Sequence, residues 1–198
     1  MQRYSVNGPL VEPLGLAETK LWLRVDHGDD DALIQALIKA ARERVEARTG
    51  RALMAQTWRI VLSAWPKEAR VALPIIPVQS VVAVRVFDGA NAAAVLASTT
   101  YALERGSEPA VIAIVNPPNP GRSRNGIEID VVAGYGVLPG DCPEPLRQAM
   151  RYLVLKAYGS RGPERASDTS DDLVEQAEAM LAPYRQLKFG RSLLEGIA

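Results

Sequence analysis

The sequence predicts an α+β fold: a helical body, made of N-terminal helices and a C-terminal helical hairpin, with an antiparallel β insertion and an extended C-terminal tail. Three observations carry this expectation. Apolar residues recur at helical spacing between Asp29 and Gly50, the period falls to two after Ala52, and the helical period returns after Gly140. The expected units are 1–53 (arm and first helices), 54–138 (β insertion), 139–184 (hairpin completing the body) and 185–198 (tail).

Residues 1–15 contain Gly8, Pro9, Pro13 and Gly15, a density of breakers that keeps the backbone extended as an arm. From Leu16 to Val25, Leu16, Leu21, Leu23 and Val25 are mixed with Glu18, Lys20 and Arg24, which suits a short helix stopped by His27 and Gly28. Asp29, Asp30 and Asp31 then open the best-marked helix, because carboxylates in a first turn accept orphan N–H groups and favour the positive end of the macrodipole. Its inward stripe is Leu33, Ile34, Leu37, Ile38, Ala41 and Val45. Arg42, Arg44 and Arg48 load the C-terminal half of the wet face, and Gly50 supplies a left-handed cap.

Strands follow. Trp58, Ile60 and Leu62 alternate with Thr57, Arg59 and Ser63, and further strands are expected at 70–73, 78–87, 100–104, 110–115 and 127–133. In the last, Ile127, Ile129 and Val131 face one way and Glu128 and Asp130 the other, as a sheet with one solvated face requires. Asp88-Gly89 and Asn125-Gly126 read as hairpin turns with positive φ at both central positions. Between them Asn116 to Gly126 (NPPNPGRSRNG) has too many prolines and glycines for a regular element and marks an exposed loop. Its Arg122 and Arg124 are candidate contacts to a phosphate or a neighbouring chain, set against the plainer reading of a solvated loop tip.

After Gly140, Asp141 is the expected N-cap of a helix running to Tyr158, with Leu146, Met150, Leu153, Val154 and Ala157 inward. A last helix from Ser170 to Tyr184 turns Leu173, Val174, Ala177, Met180 and Leu181 inward and forms a hairpin with its predecessor. The remaining RQLKFGRSLLEGIA carries apolar residues without helix length or strand period. An apolar tail that cannot bury itself locally favours docking, so Leu187, Phe189, Leu193 and Leu194 are candidate anchors for another subunit. The alternative is a tail that folds back on its own body.

Composition excludes much. The 198 residues are 47% apolar and 23% charged, as in folded soluble proteins. Lys+Arg and Asp+Glu are 23 each, so there is no broad cationic surface for sequence-reading DNA binding. No apolar run approaches the ~20 residues that cross a bilayer, and the N-terminus lacks the greasy stretch of a signal peptide, so no membrane partner is expected and the cytosol is the default. One cysteine cannot form an internal disulfide, one histidine cannot anchor a His-rich metal site, and neither metal nor cofactor is expected.

Catalytic groups are scarce. A Cys-His pair would have to use Cys142 and His27, which read more simply as a small half-buried residue and a turn residue. Asp26, Asp29, Asp30 and Asp31 lack the spacing of a calcium loop, and helix capping is the preferred reading. Gly134-Tyr135-Gly136 follows a strand but completes no phosphate-binding motif, so its glycines serve the turn from sheet to helix. Trp22, Trp58 and Trp65 read as core or sheet anchors. Two rivals remain: a small hydrolytic enzyme using Glu128 and Asp130, which share a sheet face at i and i+2, and a ligand-binding module built on the β insertion.

The segments LGLAETKLWLRVDHGDDDALIQALIKAARERVEARTGRAL, QTWRIVLSAWP, RVFD and GYG, then PEPLRQAMRYLVLKAYGSRG, together resemble the phage head-to-tail connector (adaptor) family. That family includes the adaptors of tailed phages, prophages and gene transfer agents. The most telling pieces are LRVD before the acidic-capped helix ending in TGR, and the AGYG junction to the following helix. The resemblance covers roughly 14–184. It implies a non-enzymatic structural protein of the virion or particle neck, made in the bacterial host cytoplasm. It also implies a dodecameric ring of copies beneath the portal protein, which extends the DNA channel and meets a stopper or tail-side neck protein. Double-stranded DNA would pass through the lumen without sequence-specific binding. The C-terminal segment would reach into the portal, so Leu187, Lys188, Phe189, Arg191, Leu193 and Leu194 are the expected portal contacts.

Overall fold

In the computed structural model, which describes residues 1–160 and 169–186, the chain begins with strand β1 (Gln2–Asn7) and then helices α1 (Leu16–Leu23) and α2 (Asp31–Thr49). Seven strands follow: β2 (Gln56–Leu62), β3 (Arg70–Ala72), β4 (Val78–Phe87), β5 (Ala93–Val95), β6 (Tyr101–Glu104), β7 (Val111–Ile114) and β8 (Ile127–Ala133). Helices α3 (Glu144–Gly159) and α4 (Thr169–Leu181) close the described chain. The fold is α+β, as expected.

The strands divide into two antiparallel sheets, one of order β1-β2-β8-β4-β5 and one of order β3-β7-β6. Between them lies a core of β-branched and leucine side chains, including Ile60, Val71, Leu73, Val84, Ile112, Ile127, Ile129 and Val131. A second core joins the helices. Ile34, Ile38, Ala41 and Val45 of α2 meet Leu146, Ala149, Met150 and Val154 of α3, with Ala177 and Leu181 of α4 and Leu14 of the arm. Burial of large aliphatic side chains at roughly 1.5–3 kcal/mol each is what makes both cores persist. Leu53 and Met54 pack with the helices while neighbouring Ala52 packs between the sheets, so this short stretch is where the two cores meet.

Several local expectations change. Residues 2–7 are extended, but they pair with β2 as an edge strand rather than standing off as an arm. β5 is a short, fully exposed edge strand with no burial period to announce it. The turn at Asp88-Gly89 is a longer loop: Asp88 Oδ1 accepts from the Ala90 and Ala92 N–H groups, and positive φ falls on Asn91 (70°), not on Gly89. Asn125 takes φ 53°, yet β7 and β8 lie in different sheets, so 116–126 crosses between sheets instead of closing a hairpin.

The helices differ in detail too. Gly50 caps α2 with φ 73°, its N–H donating to Glu46 O at 2.8 Å, as the sequence implied. The aspartates at the other end make no side-chain cap bond at Asp30; Asp31 instead pairs with Lys20 of α1, and Asp30 accepts from the Tyr158 hydroxyl of α3, each at 2.6 Å. Asp141 lies in a 3-10 turn whose Leu138 N–H it accepts, and Pro143 is the N-cap of α3. Ala157 is exposed and Ala149 takes its place in the stripe.

Candidate interaction surfaces

The groups most able to do chemistry are engaged elsewhere. Cys142 is 2% exposed in the helical core, and burial pushes its thiol up to about 12, far from a nucleophilic thiolate. His27 lies on an exposed turn with Nδ1 3.8 Å from Asp29 Oδ2, and no hydrogen bond joins it to Cys142. Among the described residues no three His, Cys, Asp or Glu side chains are grouped to hold a metal ion. No helix among them is long and apolar enough to cross a membrane.

Glu128 and Asp130 do share a face of β8, but they form a charge ladder rather than an acid–base pair. Arg59 lies directly across from Asp130 on β2, with Nε and Nη2 donating to the two carboxylate oxygens at 2.7 and 2.8 Å. Arg85 of β4 donates to Asp130 at 2.5 Å, and Arg59 Nη1 lies 3.1 Å from Glu128. Burial alone would raise the Asp130 pKa, but the hydrogen bonds and charges of Arg59 and Arg85 outweigh it and hold the carboxyl below the usual range. A general acid needs the opposite shift. Asp130 is also buried, so this side of β8 is not the solvated face that alternation implied.

A second buried ion pair joins α2 to the N-terminal segment. Arg42 is 5% exposed rather than on the wet face of α2; its Nε donates to Glu12 and its Nη1 to Glu46, both at 2.7 Å. Glu46 also accepts from the Leu53 N–H and from Gln56 Nε2. Burial pushes the Glu46 carboxyl above its ordinary range despite these bonds. The network fastens the N-terminal segment to α2 and β2. Its legible trace was the i,i+4 spacing of Arg42 and Glu46 on the flank of the apolar stripe.

The glycines after β8 are spent on close packing. A Cβ on Gly134, where φ is 135°, would lie 2.2 Å from Met54 O, and one on Gly136 would meet Asp141 at 2.1 Å. The N–H groups of Gly134 and Tyr135 donate to Pro77 and Leu53 carbonyls, so they cradle no phosphate. Trp58 and Trp65 are partly buried against the inter-sheet core, as anchors should be, while Trp22 is exposed beside Tyr152. Trp58 Nε1 is buried without a hydrogen-bond partner among the described residues.

Arg122 stacks over the Phe87 ring, its guanidinium carbon 4.8 Å from the centroid, and Arg124 is exposed. The loop that carries them is pinned at Gly121 by the Phe87 carbonyl, at Pro118 by Trp65 Nε1 and at Asn125 by Ser63 Oγ.

The candidate anchors Leu187, Lys188, Phe189, Arg191, Leu193 and Leu194 lie outside the described residues, but the root of their segment is well defined. Arg51 Nε donates to Tyr184 O at 2.8 Å and its guanidinium also reaches Tyr135 and Glu108. Gln186 N–H donates to Thr49 O at 3.2 Å. The final segment therefore leaves the body at the C-terminal end of α2. Along α2 lie two concavities. One of about 580 Å³ is lined by Val11, Leu14, Leu16, Ala32, Ala36 and Lys39, and one of about 380 Å³ is lined by Arg3, Glu43, Ala47, Arg51, Trp58 and Ile75. Beside the first, Leu10, Val11, Val137 and Leu138 leave large apolar side chains in water.

Residues 14–87 match the family described as Phage gp6-like head-tail connector protein. Among solved structures, the fold is similar to a chain from the neck of an empty gene transfer agent (GTA) particle computed with C6 symmetry, with a TM-score of 0.79 and 27% identity over 96% of this chain and 100% of that one. It is similar to a chain from the virion of a native gene transfer agent particle, with a TM-score of 0.80 and 26% identity over 96% and 98% of the two chains. A chain from the neck of a native GTA particle computed with C12 symmetry gives 0.76 and 26% over 96% and 100%. No curated protein matches.

Proposed function

We infer that this chain, a phage gp6-like head-tail connector and a structural protein rather than an enzyme, closes with copies of itself into a ring in the neck of a phage or gene transfer agent particle. The observation that carries the reading is likeness over nearly the whole length of both chains to a protein of particle necks with rotational symmetry.

The proposed arrangement is twelve copies beneath a portal protein, extending the channel through which double-stranded DNA passes and offering the far side to a stopper or tail-side neck protein. A formal net charge of zero supports a conduit, because a strongly basic lumen would hold the duplex through counterion release. The tail from 187 onward is proposed to dock on the portal through Leu187, Phe189, Leu193 and Leu194, with Lys188 and Arg191 beside them. Twelve weak tails on one rigid ring make a durable joint by avidity. Arg122 and Arg124 are placed at a fixed loop and are proposed as secondary contacts to a neighbouring chain or to phosphate.

Deletion of 187–198 is the test. The truncated chain is expected to remain folded and soluble, and to fail both in capture by cognate portal and in joining filled heads to tails. Normal particle assembly by the truncation would remove the docking role.

A further inference from the structure

Ala32, Gln35, Ala36, Lys39, Glu43 and Ala47 recur at three and four residues and so form one continuous stripe of α2, which floors both concavities. The opposite wall is the N-terminal segment, held by the Glu12–Arg42 ion pair and by Ser5 Oγ donating to Gln56. The groove begins where the described chain ends, because Arg51 both lines the nearer concavity and holds Tyr184. From Ala47 back to Ala32 the helix rises about 22 Å. The twelve residues after Gln186 span up to about 40 Å when extended, so they reach its far end.

We propose that in the free chain residues 187–198 of the same molecule lie along this groove, antiparallel to α2, until a portal displaces them. The inference rests on the reading of the tail as the portal-docking element and adds where that element is held beforehand. The order of chemistry matches along the path. Leu187 and Phe189 come first and fall on Ala47, Ile75 and Trp58. Arg191 then passes Glu43, whose carboxylate is largely exposed. Leu193, Leu194 and Ile197 reach the wider concavity, between Ala32 and Ala36 on one side and Val11 and Leu16 on the other. A groove of this kind shields apolar side chains that would otherwise stand in water. It also lowers the apparent affinity for portal by the fraction of tails that are not free.

The test is cysteine cross-linking in the full-length chain carrying Ala36→Cys and Leu194→Cys, read by intact mass and non-reducing gel. The native Cys142 is buried, so the introduced pair reports alone. An intramolecular disulfide is expected, forming at a rate unchanged by dilution, whereas Leu33→Cys paired with Leu194→Cys, on an exposed flank of α2 outside the groove, should lag about tenfold or more. The locked chain should lose portal capture about tenfold, and reductant should restore it. Equal rates for the two pairs, disulfides only between molecules, or undiminished capture by the locked chain where deletion of 187–198 abolishes capture would each overturn the proposal; the second would assign the groove to another copy. If cross-linking fails while deletion of 187–198 still abolishes capture, the docking role stands and only the stowed position falls. If capture survives the deletion while the disulfide forms rapidly, the groove stands and the docking role falls.

Discussion

Asp130 is the residue at which sequence and structure part most instructively. Period-two alternation sends it to solvent, but the partners that let it be buried, Arg59 and Arg85, are 71 and 45 positions away in the chain, and no local pattern announces them. Arg42 departs from expectation for a related reason: Glu46 lies one turn away, but its other partner, Glu12, lies in a segment that sequence alone leaves as an arm. Removing one member of such a buried pair strands the others, so Asp130→Asn is expected to cost about 3 kcal/mol in urea unfolding. The pH sign follows from its lowered pKa: the contribution is present above the ordinary aspartate value near 4 and is lost as pH falls through the lower folded value. The variant should therefore also have a flatter acid limb than the parent, and an unchanged urea midpoint would show that the ladder adds nothing. Cys142 offers a simpler check. Its burial and its pKa near 12 predict that the native thiol resists alkylation at neutral pH and reacts once denaturant is added; labelling at the rate of a free thiol would contradict its place in the core.

Elements whose apolar period is strong were legible in their extent, as β4, β8 and α2 illustrate, while the facing of Leu33, Arg42 and Asp130 departs from the period. β1 and β5 were not legible, since both are exposed edge strands and are held by backbone pairing rather than by a buried face. The split into two sheets was equally hidden: which strand pairs with which is decided by long-range packing, and the turn at 116–126 carries hairpin residues while performing a crossover. The hairpin of α3 and α4 was legible from its two stripes, and its seam can be tested directly. Leu181 is 1% exposed at the end of α4, in the core shared with α2 and α3. Leu181→Ala should cost about 2–5 kcal/mol. Because the segment after Gln186 leaves from the turn that follows Leu181, the proposed docking of that segment on a portal predicts that the same change weakens capture more than its stability cost alone would at temperatures well below unfolding. Equal capture by parent and variant would show that the root of the tail tolerates a loosened seam.

For the whole molecule, the proposed ring makes a demand that no single element reveals. Copies related by rotation about one axis meet head to tail, so each must present two different surfaces to its neighbours. A body intended to stand alone would gain nothing from Leu10, which is fully exposed, or from Val137 and Leu138, which are about two-thirds exposed. These side chains are brought together from the N-terminal segment and the junction after β8, around a concavity of about 120 Å³ that Pro9, Leu10, Val11, Gly136 and Val137 share. Neither segment has a period, so sequence reading could find the residues but not their adjacency. In the proposed ring, such a patch on a folded body would form one side of the contact between neighbouring copies. The double variant Leu10→Asp with Val137→Asp should then keep the parent's unfolding free energy to within about 0.5 kcal/mol, because both sites are already in water. It should nonetheless leave necks unfilled when particles are imaged after complementation. Full necks would assign the patch no part in the ring, and a large loss of stability would mean that it supports the fold of the single chain instead.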